Sequence, residues 1–508
     1  MPPIKKLASV EGALLALLGA GAFLSVLFAL GFPFDHNEHM YLTAGRLLAE
    51  YPLYTAVGYV QMPLLPWIYS ILFPVGHLLG APALLVARLV TAAAFLGTVF
   101  FAVRIVYIWV PAAWFAYAIG CLVLFDKILQ FAAREADADM LALLCWAAAL
   151  YLWSRAIREH KGSLYFFSIG SLITGAALLR LFYMPLILLA IAAPFFLLSE
   201  GEGLPVALRR ALWIVGGMVV SATPFLLLYG PHVPVVWDMV FSYHQLNAAD
   251  QSAISGLSQK LALAYAAFSS PATWTGVLLV IVALWLGKAS DLAFGLSLRA
   301  RFGLFVLVLG GLECVLAFAP TPVWSTYFAP FLLFSVLGGA VLLPQAEERY
   351  ASLMQAFCVG LIVINLPFAL QQVVRGAYAW VHPSSLPFIA ISTDAKRIDD
   401  HFAAGTSFAT LTPGFLIDTD IRLLPQFASG PFLYRVGDTW SPQERTMLGI
   451  ATPSSLNTLF AIQKPDAIMV GCEGELDASL EQYALTNSYQ RIPGTYFGCA
   501  RIYERIKS

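Results

Sequence analysis

Apolar runs of about 18 residues or more, long enough to cross a bilayer as helices, recur along most of this chain. Residues 11–33 and 88–109 are the first two. The 508 residues are 59% hydrophobic and only 12% charged, where a soluble protein has about 25% charged residues. The chain therefore reads as a polytopic α-helical membrane protein. Its first apolar segment has no small-residue cleavage site, so it reads as a retained helix rather than a removed signal peptide. The net charge of -1 is uninformative, and the chain has no basic patch or nucleic-acid motif. Nucleic-acid binding is excluded as a function class.

About eleven spans are expected. After 11–33, the stretch 34–88 is too polar and Pro-rich to cross. It should form short interfacial helices with Tyr51, Trp67 and Tyr69 at headgroup level. Spans follow at 88–109, 111–126 and 139–154, then two within 163–199 that meet at Arg180, then 211–229. A loop over 230–261 holds His244 and Asp250; the next span ends near Gly287, and the last three cover 302–319, 327–343 and 352–372. Basic residues fall in alternate connections: Lys5 and Lys6, Arg155 to Lys161, Arg209 and Arg210, Lys288 to Arg301, and Arg349. The positive-inside rule makes these cytoplasmic. The N-terminus is then cytoplasmic, and the Asp35, Asp137 and Arg180 connections lie on the opposite side.

Residues 1–379 form the membrane domain in this reading, and 380–508 a small extracytoplasmic α/β domain. Helices are expected at 394–404, 454–463 and 476–485, and strands at 407–411, 466–471 and 500–503. No phosphate-binding glycine loop or nucleotide fingerprint occurs there. Cys472 and Cys499 lie in this part. They either pair in an oxidising compartment or are two unrelated buried thiols.

Two carboxylates and two imidazoles crowd into Asp35-His36-Asn37-Glu38-His39, directly after the first span. Such a carboxylate can take the proton from an acceptor hydroxyl as it attacks an activated sugar. Asp35 and Glu38 with His36 or His39 could also hold a divalent cation. The plain alternative is a loop that caps the next helix. Asp137 and Asp139 pose the same choice before the apolar run 140–144: helix cap or site residue. Glu135 stands beside them. Arg180 interrupts a 37-residue apolar stretch. It suits a lipid phosphate, or it is a snorkelling turn residue. Lys127 and Arg134 are further phosphate candidates, and His244 and Tyr243 are loop residues with a minor claim on the site.

Four stretches in order carry a family resemblance: Asp35 to Arg46, Tyr54 to Arg88 with its Met62-Pro63-Leu64-Leu65-Pro66-Trp67 core, Arg134 to Leu144, and Thr326 to Pro330. With these the chain resembles the GT-C superfamily of membrane glycosyltransferases, on the branch of protein O-mannosyltransferases and the lipid A aminoarabinose transferase. The resemblance implies an inverting enzyme using a polyprenyl-phosphate-linked sugar at the extracytoplasmic face, here of a bacterial inner membrane. The acceptor would be a lipid, a glycan or a protein. It implies Asp35 as general base with Glu38 beside it, Asp137 or Asp139 as the second-loop acid, and Arg88 and Arg180 at the lipid phosphate. His39, Tyr41, Gln61, His244 and Tyr327 would line the substrate cavity, and Asp35, Glu38 and His39 are the candidate set for a divalent metal ion. Two departures stand out: Asp35 and Glu38 are not adjacent, and Gln61 occupies a position that is basic in many relatives. The rival readings are a membrane transporter or lipid flippase, for which Glu313 is the one charge deep in a span, and a non-catalytic assembly partner.

Overall fold

A computed structural model describes residues 4–506 apart from 250–252, 270–272, 275, 280, 282–296, 321–323 and 344–347. The expected positions Asp250, Gly287 and Lys288 lie outside the described residues, as do the side chains of Lys5, Lys6 and Arg349.

The first half is a helical bundle. Its helices are α1 (Ile4–Gly31), α2 (His36–Leu47), α3 (Leu64–Leu78), α4 (Ala83–Trp109), α5 (Ala113–Leu124), α6 (Lys127–Ala133), α7 (Asp139–Arg158), α8 (Ser163–Leu179), α9 (Leu186–Phe196) and α10 (Leu204–Tyr229). Shorter turns lead through α11 (Val233–Trp237) and α12 (Tyr243–Ala249) to α13 (Ala253–Phe268), α14 (Leu298–Leu316), α15 (Ala329–Leu342) and α16 (Glu348–Val381). Among the described residues, five helices are long and apolar enough to cross a membrane, or six if α5 and α6, bent by 64° at their junction, form one span. Shorter apolar helices such as α3 and α8 fill out the bundle.

Local chemistry explains the breaks. Asp126 ends α5 and caps α6, its carboxylate accepting from the Ile128 and Leu129 N–H groups at 2.9 Å each. The stretch after Asp126, expected as loop, is thus helical as far as Ala133. The expected loop over 230–261 is also largely helical where described: Pro231 and Pro234 fall at helix starts, where their missing N–H costs nothing. Tyr69, expected at headgroup level, is fully buried and stacks on Phe73 at 5.1 Å, while Trp67 donates to the Tyr229 hydroxyl at 2.8 Å. Where α8 crosses α10, a Cβ on Gly170 or Gly217 would come within 1.9 Å of a carbonyl oxygen of the facing helix. Only glycine permits that approach.

The C-terminal part opens with α17 (Pro387–His401) and forms a five-stranded sheet in the order β2-β1-β3-β5-β4. Its strands are β1 (Ser407–Thr410), β2 (Arg422–Leu423), β3 (Ala467–Val470), β4 (Tyr489–Arg491) and β5 (Arg501–Arg505). β1 pairs in parallel with β2 and β3, and β5 runs antiparallel to β3 and β4. Of the three interior strands, β1 and β3 are buried throughout, as expected of strands covered on both faces. Four helices complete the domain: α18 (Pro431–Val436), α19 (Pro442–Leu448), α20 (Leu456–Ile462) and α21 (Ala478–Thr486). The sequence reading missed β2, β4, α18 and α19, all short. Cys472 and Cys499 form a disulfide.

This sheet domain is seated on α2. The Arg46 guanidinium donates to the carbonyls of Leu416, of Thr419 at 2.8 Å and of Ile421 at 2.7 Å. Phe415 packs between Phe34 at 5.0 Å and His39 at 4.7 Å, and Asp418 accepts from the Ala83 N–H at 2.9 Å.

Candidate active site

Asp35 is the N-cap of α2, accepting from the Asn37 N–H at 3.0 Å, and Glu38 closes the capping box by accepting from the Asp35 N–H at 2.8 Å. The structural reading of this acid pair is therefore correct as far as it goes. It does not exhaust Asp35, which remains half-buried and lines a cavity of about 390 Å³.

That cavity is built from connections far apart in sequence. Asp35, His36 and Tyr41 come from the start of α2, Gln61 from the loop before α3, and Arg134, Glu135 and Asp137 from the turn between α6 and α7. Arg180 comes from the break after α8, His244 from α12, and Tyr327 from the turn before α15. Of the polar residues expected to converge on one side of the bundle, Asp35, Arg134, Asp137, Arg180 and His244 share this one space.

Arg180 is extended between two helical segments. Its guanidinium pairs with Asp139, lies 3.5 Å from Asp137, and donates to Gln61 Oε1 at 3.3 Å. The rings of Tyr41 and Tyr327 flank it, each centroid 5.9 Å from Cζ. Arg134 pairs with Glu135 at 3.0 Å and packs over Phe32 and Phe131. Asp137 accepts from the Asp139 N–H at 2.9 Å. Burial and the neighbouring Asp139 push the Asp137 carboxyl well above the usual range, against the pull of Arg180. Burial, with Asp35 nearby, pushes the Glu135 carboxyl up to about 8. The site therefore offers one half-buried carboxyl group, two more deeply buried ones whose pKa burial raises, and guanidinium groups around them.

Five sequence candidates, Glu38, His39, Arg88, Lys127 and Asp139, are not brought to the cavity wall. Glu38 and Arg88 are fully buried and pair with each other at 2.7 Å. Arg88 also donates to the carbonyls of Ala29, Phe32 and Pro33. Its donors are spent within the fold, leaving none free for a phosphate, and Glu38 is held out of the cavity. His39 lies under the sheet domain, where its Nδ1 accepts from the Gly414 N–H at 3.2 Å and burial lowers its pKa well below the ordinary value. Lys127, in the first turn of α6, is exposed and is not part of the cavity lining. With Glu38 and His39 both engaged elsewhere, the metal set Asp35, Glu38 and His39 does not form. Among the described residues, no three His, Cys, Asp or Glu side chains gather as metal ligands would. Asp139 reaches the site through Arg180 and Asp137, and among the described residues its buried Oδ2 has no partner.

Sequence reasoning passed over Phe432 and Arg435, which α18 places in the cavity wall. No local motif marks them. They reach the site through Gly430, whose φ of +58° and whose hypothetical Cβ, 2.6 Å from the Leu411 carbonyl oxygen, admit no other residue.

No family model matches the chain, and no curated protein matches it in sequence. Solved structures do resemble it. ArnT from Cupriavidus metallidurans bound to undecaprenyl phosphate is similar at a TM-score of 0.62 and 15% identity, over 97% of this chain and 98% of that one. The oligosaccharyltransferase of Archaeoglobus fulgidus in its apo form is similar at a TM-score of 0.51 and 11% identity, over 91% of this chain and 70% of that one. The oligosaccharyltransferase AglB from Archaeoglobus fulgidus in complex with an inhibitory peptide and a dolichol-phosphate gives a TM-score of 0.50 and 11% identity, over 94% of this chain and 72% of that one. These neighbours are GT-C superfamily membrane glycosyltransferases. The chain has their fold, and the resemblance read from its sequence holds at that level.

Proposed function

We propose that this chain is an inverting glycosyltransferase of the GT-C type, moving a sugar from a polyprenyl-phosphate-linked donor to a lipid, glycan or protein acceptor. The observation that carries this reading is the meeting of Asp35, Glu135, Asp137 and Arg180, from three separate connections, around one cavity beside the sheet domain. In the proposed reaction Asp35 accepts the proton of the acceptor hydroxyl as its oxygen attacks the anomeric carbon. The bond from that carbon to the phosphate oxygen breaks, and its electron pair leaves on the lipid phosphate. Arg180, steadied by Asp139 and Gln61, is suited to the charge that develops there. Asp137, beside Arg180 in the cavity wall, is placed to meet a hydroxyl of the sugar or the acceptor.

An eleven-span bundle with a cytoplasmic N-terminus, in a bacterial inner membrane, completes the proposal. The Cys472–Cys499 disulfide supports an oxidising, extracytoplasmic setting for the sheet domain. The transporter or flippase reading draws on Glu313, buried within α14. The cavity instead lies among the interhelical connections, where a lipid headgroup would sit, rather than at mid-span where transporters place their substrates.

Mass spectrometry of membrane glycolipids and glycans tests the proposal. Cells lacking the chain should lose one sugar-bearing species, restored by the wild-type gene and not by Asp35→Asn. An unchanged glycan profile would overturn it.

A further inference from the structure

We propose that Arg435, supplied by the sheet domain, is an anion-binding residue of the cavity that takes a phosphate oxygen of a bound lipid. The inference rests on the glycosyltransferase reading above and extends it, because it gives the C-terminal domain a direct contact with substrate.

What separates the cationic side chains around the cavity is whether each has a carboxyl partner. Arg134 is matched by Glu135 at 3.0 Å. Arg180 is matched by Asp139, with Asp137 at 3.5 Å. His36 Nδ1 lies 3.3 Å from Glu473. Arg435 differs: among the described residues no carboxylate pairs with it, and its polar neighbour is the neutral hydroxyl of Tyr243. It is exposed, and it lines the same cavity as Asp35 and Arg180.

Its position is built rather than incidental. The left-handed turn at Gly430 launches α18 from the end of the sheet core toward the bundle. Phe432 packs edge-on to His36 at 5.0 Å, which fixes the first turn of α18 against the residue next to Asp35. Arg435 follows three positions later, on the same helical face. The domain carrying it is held to α2 by Arg46 and to His39 by Gly414. A guanidinium with no internal counter-charge, fixed at the rim of a polar cleft, draws anions into that cleft. Its planar fork suits a phosphate better than a neutral sugar.

That phosphate could be the donor's lipid phosphate or a phosphate on a glycolipid acceptor, and the test separates the two. Full-length wild type, Arg435→Gln and Arg435→Lys are purified in detergent and checked for folding by size exclusion. Each is titrated with undecaprenyl phosphate, with undecaprenol, and with a phosphorylated glycolipid and its dephosphorylated form. If Arg435 holds the donor phosphate, Arg435→Gln weakens undecaprenyl phosphate by about tenfold or more, leaves undecaprenol unchanged, and is partly rescued in Arg435→Lys. If it holds an acceptor phosphate, the same pattern moves to the glycolipid pair. Wild-type binding of a phosphate ligand, with Arg435→Gln weakening neither undecaprenyl phosphate nor the phosphorylated glycolipid, overturns this inference and leaves the transferase reading standing. Wild type binding neither phosphate overturns both.

Discussion

Glu38 and Arg88 form a two-pronged ion pair, Nε to Oε1 at 2.9 Å and Nη2 to Oε2 at 2.7 Å, with neither side chain reaching solvent. The same carboxylate accepts from the Asp35 N–H at 2.8 Å and from the Ala136 N–H at 2.9 Å. One buried group thus fixes the two acidic connections relative to each other. Arg88→Leu would leave that carboxylate uncompensated and strip the donor from the carbonyls of Ala29, Phe32 and Pro33. We expect a loss of about 3–5 kcal/mol, read as a large drop in melting temperature in detergent. A variant that melts with the wild type would show the pair to be idle.

Glu135 gives a pH signature. Its carboxyl is raised from 4.5 to about 8, so the folded chain binds that proton more tightly than the unfolded chain does. The resulting stabilisation is complete below about pH 4.5, shrinks as the pH climbs to about 8, and is gone above. Glu135→Gln keeps a neutral group of the same shape. Its melting temperature should fall less than that of the wild type across this window. Parallel curves would count against the assignment.

The Cys472–Cys499 bridge closes a separation of 27 residues in the sheet domain. A loop of that size is worth about 3–4 kcal/mol by chain entropy. Cys499→Ser should lower the thermal stability of the folded protein accordingly. In intact spheroplasts, a membrane-impermeant reductant should release the thiols for labelling if the domain faces outward. Labelling only after permeabilisation would reverse the topology.

Arg180 is held in place by the fork of its guanidinium: Asp139 and Gln61 engage different nitrogens, and two tyrosine rings flank it. Arg180→Lys keeps the charge and loses that geometry. We expect transfer to fall by about tenfold or more, with the fold intact. Full activity in the lysine variant would reduce Arg180 to a spectator.

What the sequence disclosed followed physical periodicity. Long apolar runs located the helices, and the charge at Arg180 marked the break between α8 and α9 because an isolated guanidinium has no place inside an apolar helix. The acids at 35 and 137 were legible as a shared site because alternate connections fall on one side of a bundle. The partition within each acidic cluster was hidden. Glu38 and Asp35 look equivalent in sequence, yet Arg88, fifty positions away, claims only Glu38. His39 was misread for the same reason: its partner, Gly414, is 375 positions distant. Arg435 carried no signal at all, since its place in the cavity wall depends on where a positive-φ glycine aims a six-residue helix.

The most direct measurement is sugar transfer by the purified chain in liposomes containing a labelled polyprenyl-phosphate sugar and extracted acceptor lipids, wild type against Asp35→Asn. The account predicts transfer by the wild type and a loss of about a hundredfold or more in the variant, with melting temperature little changed. An Asp35→Asn protein that transfers sugar at the wild-type rate would contradict it.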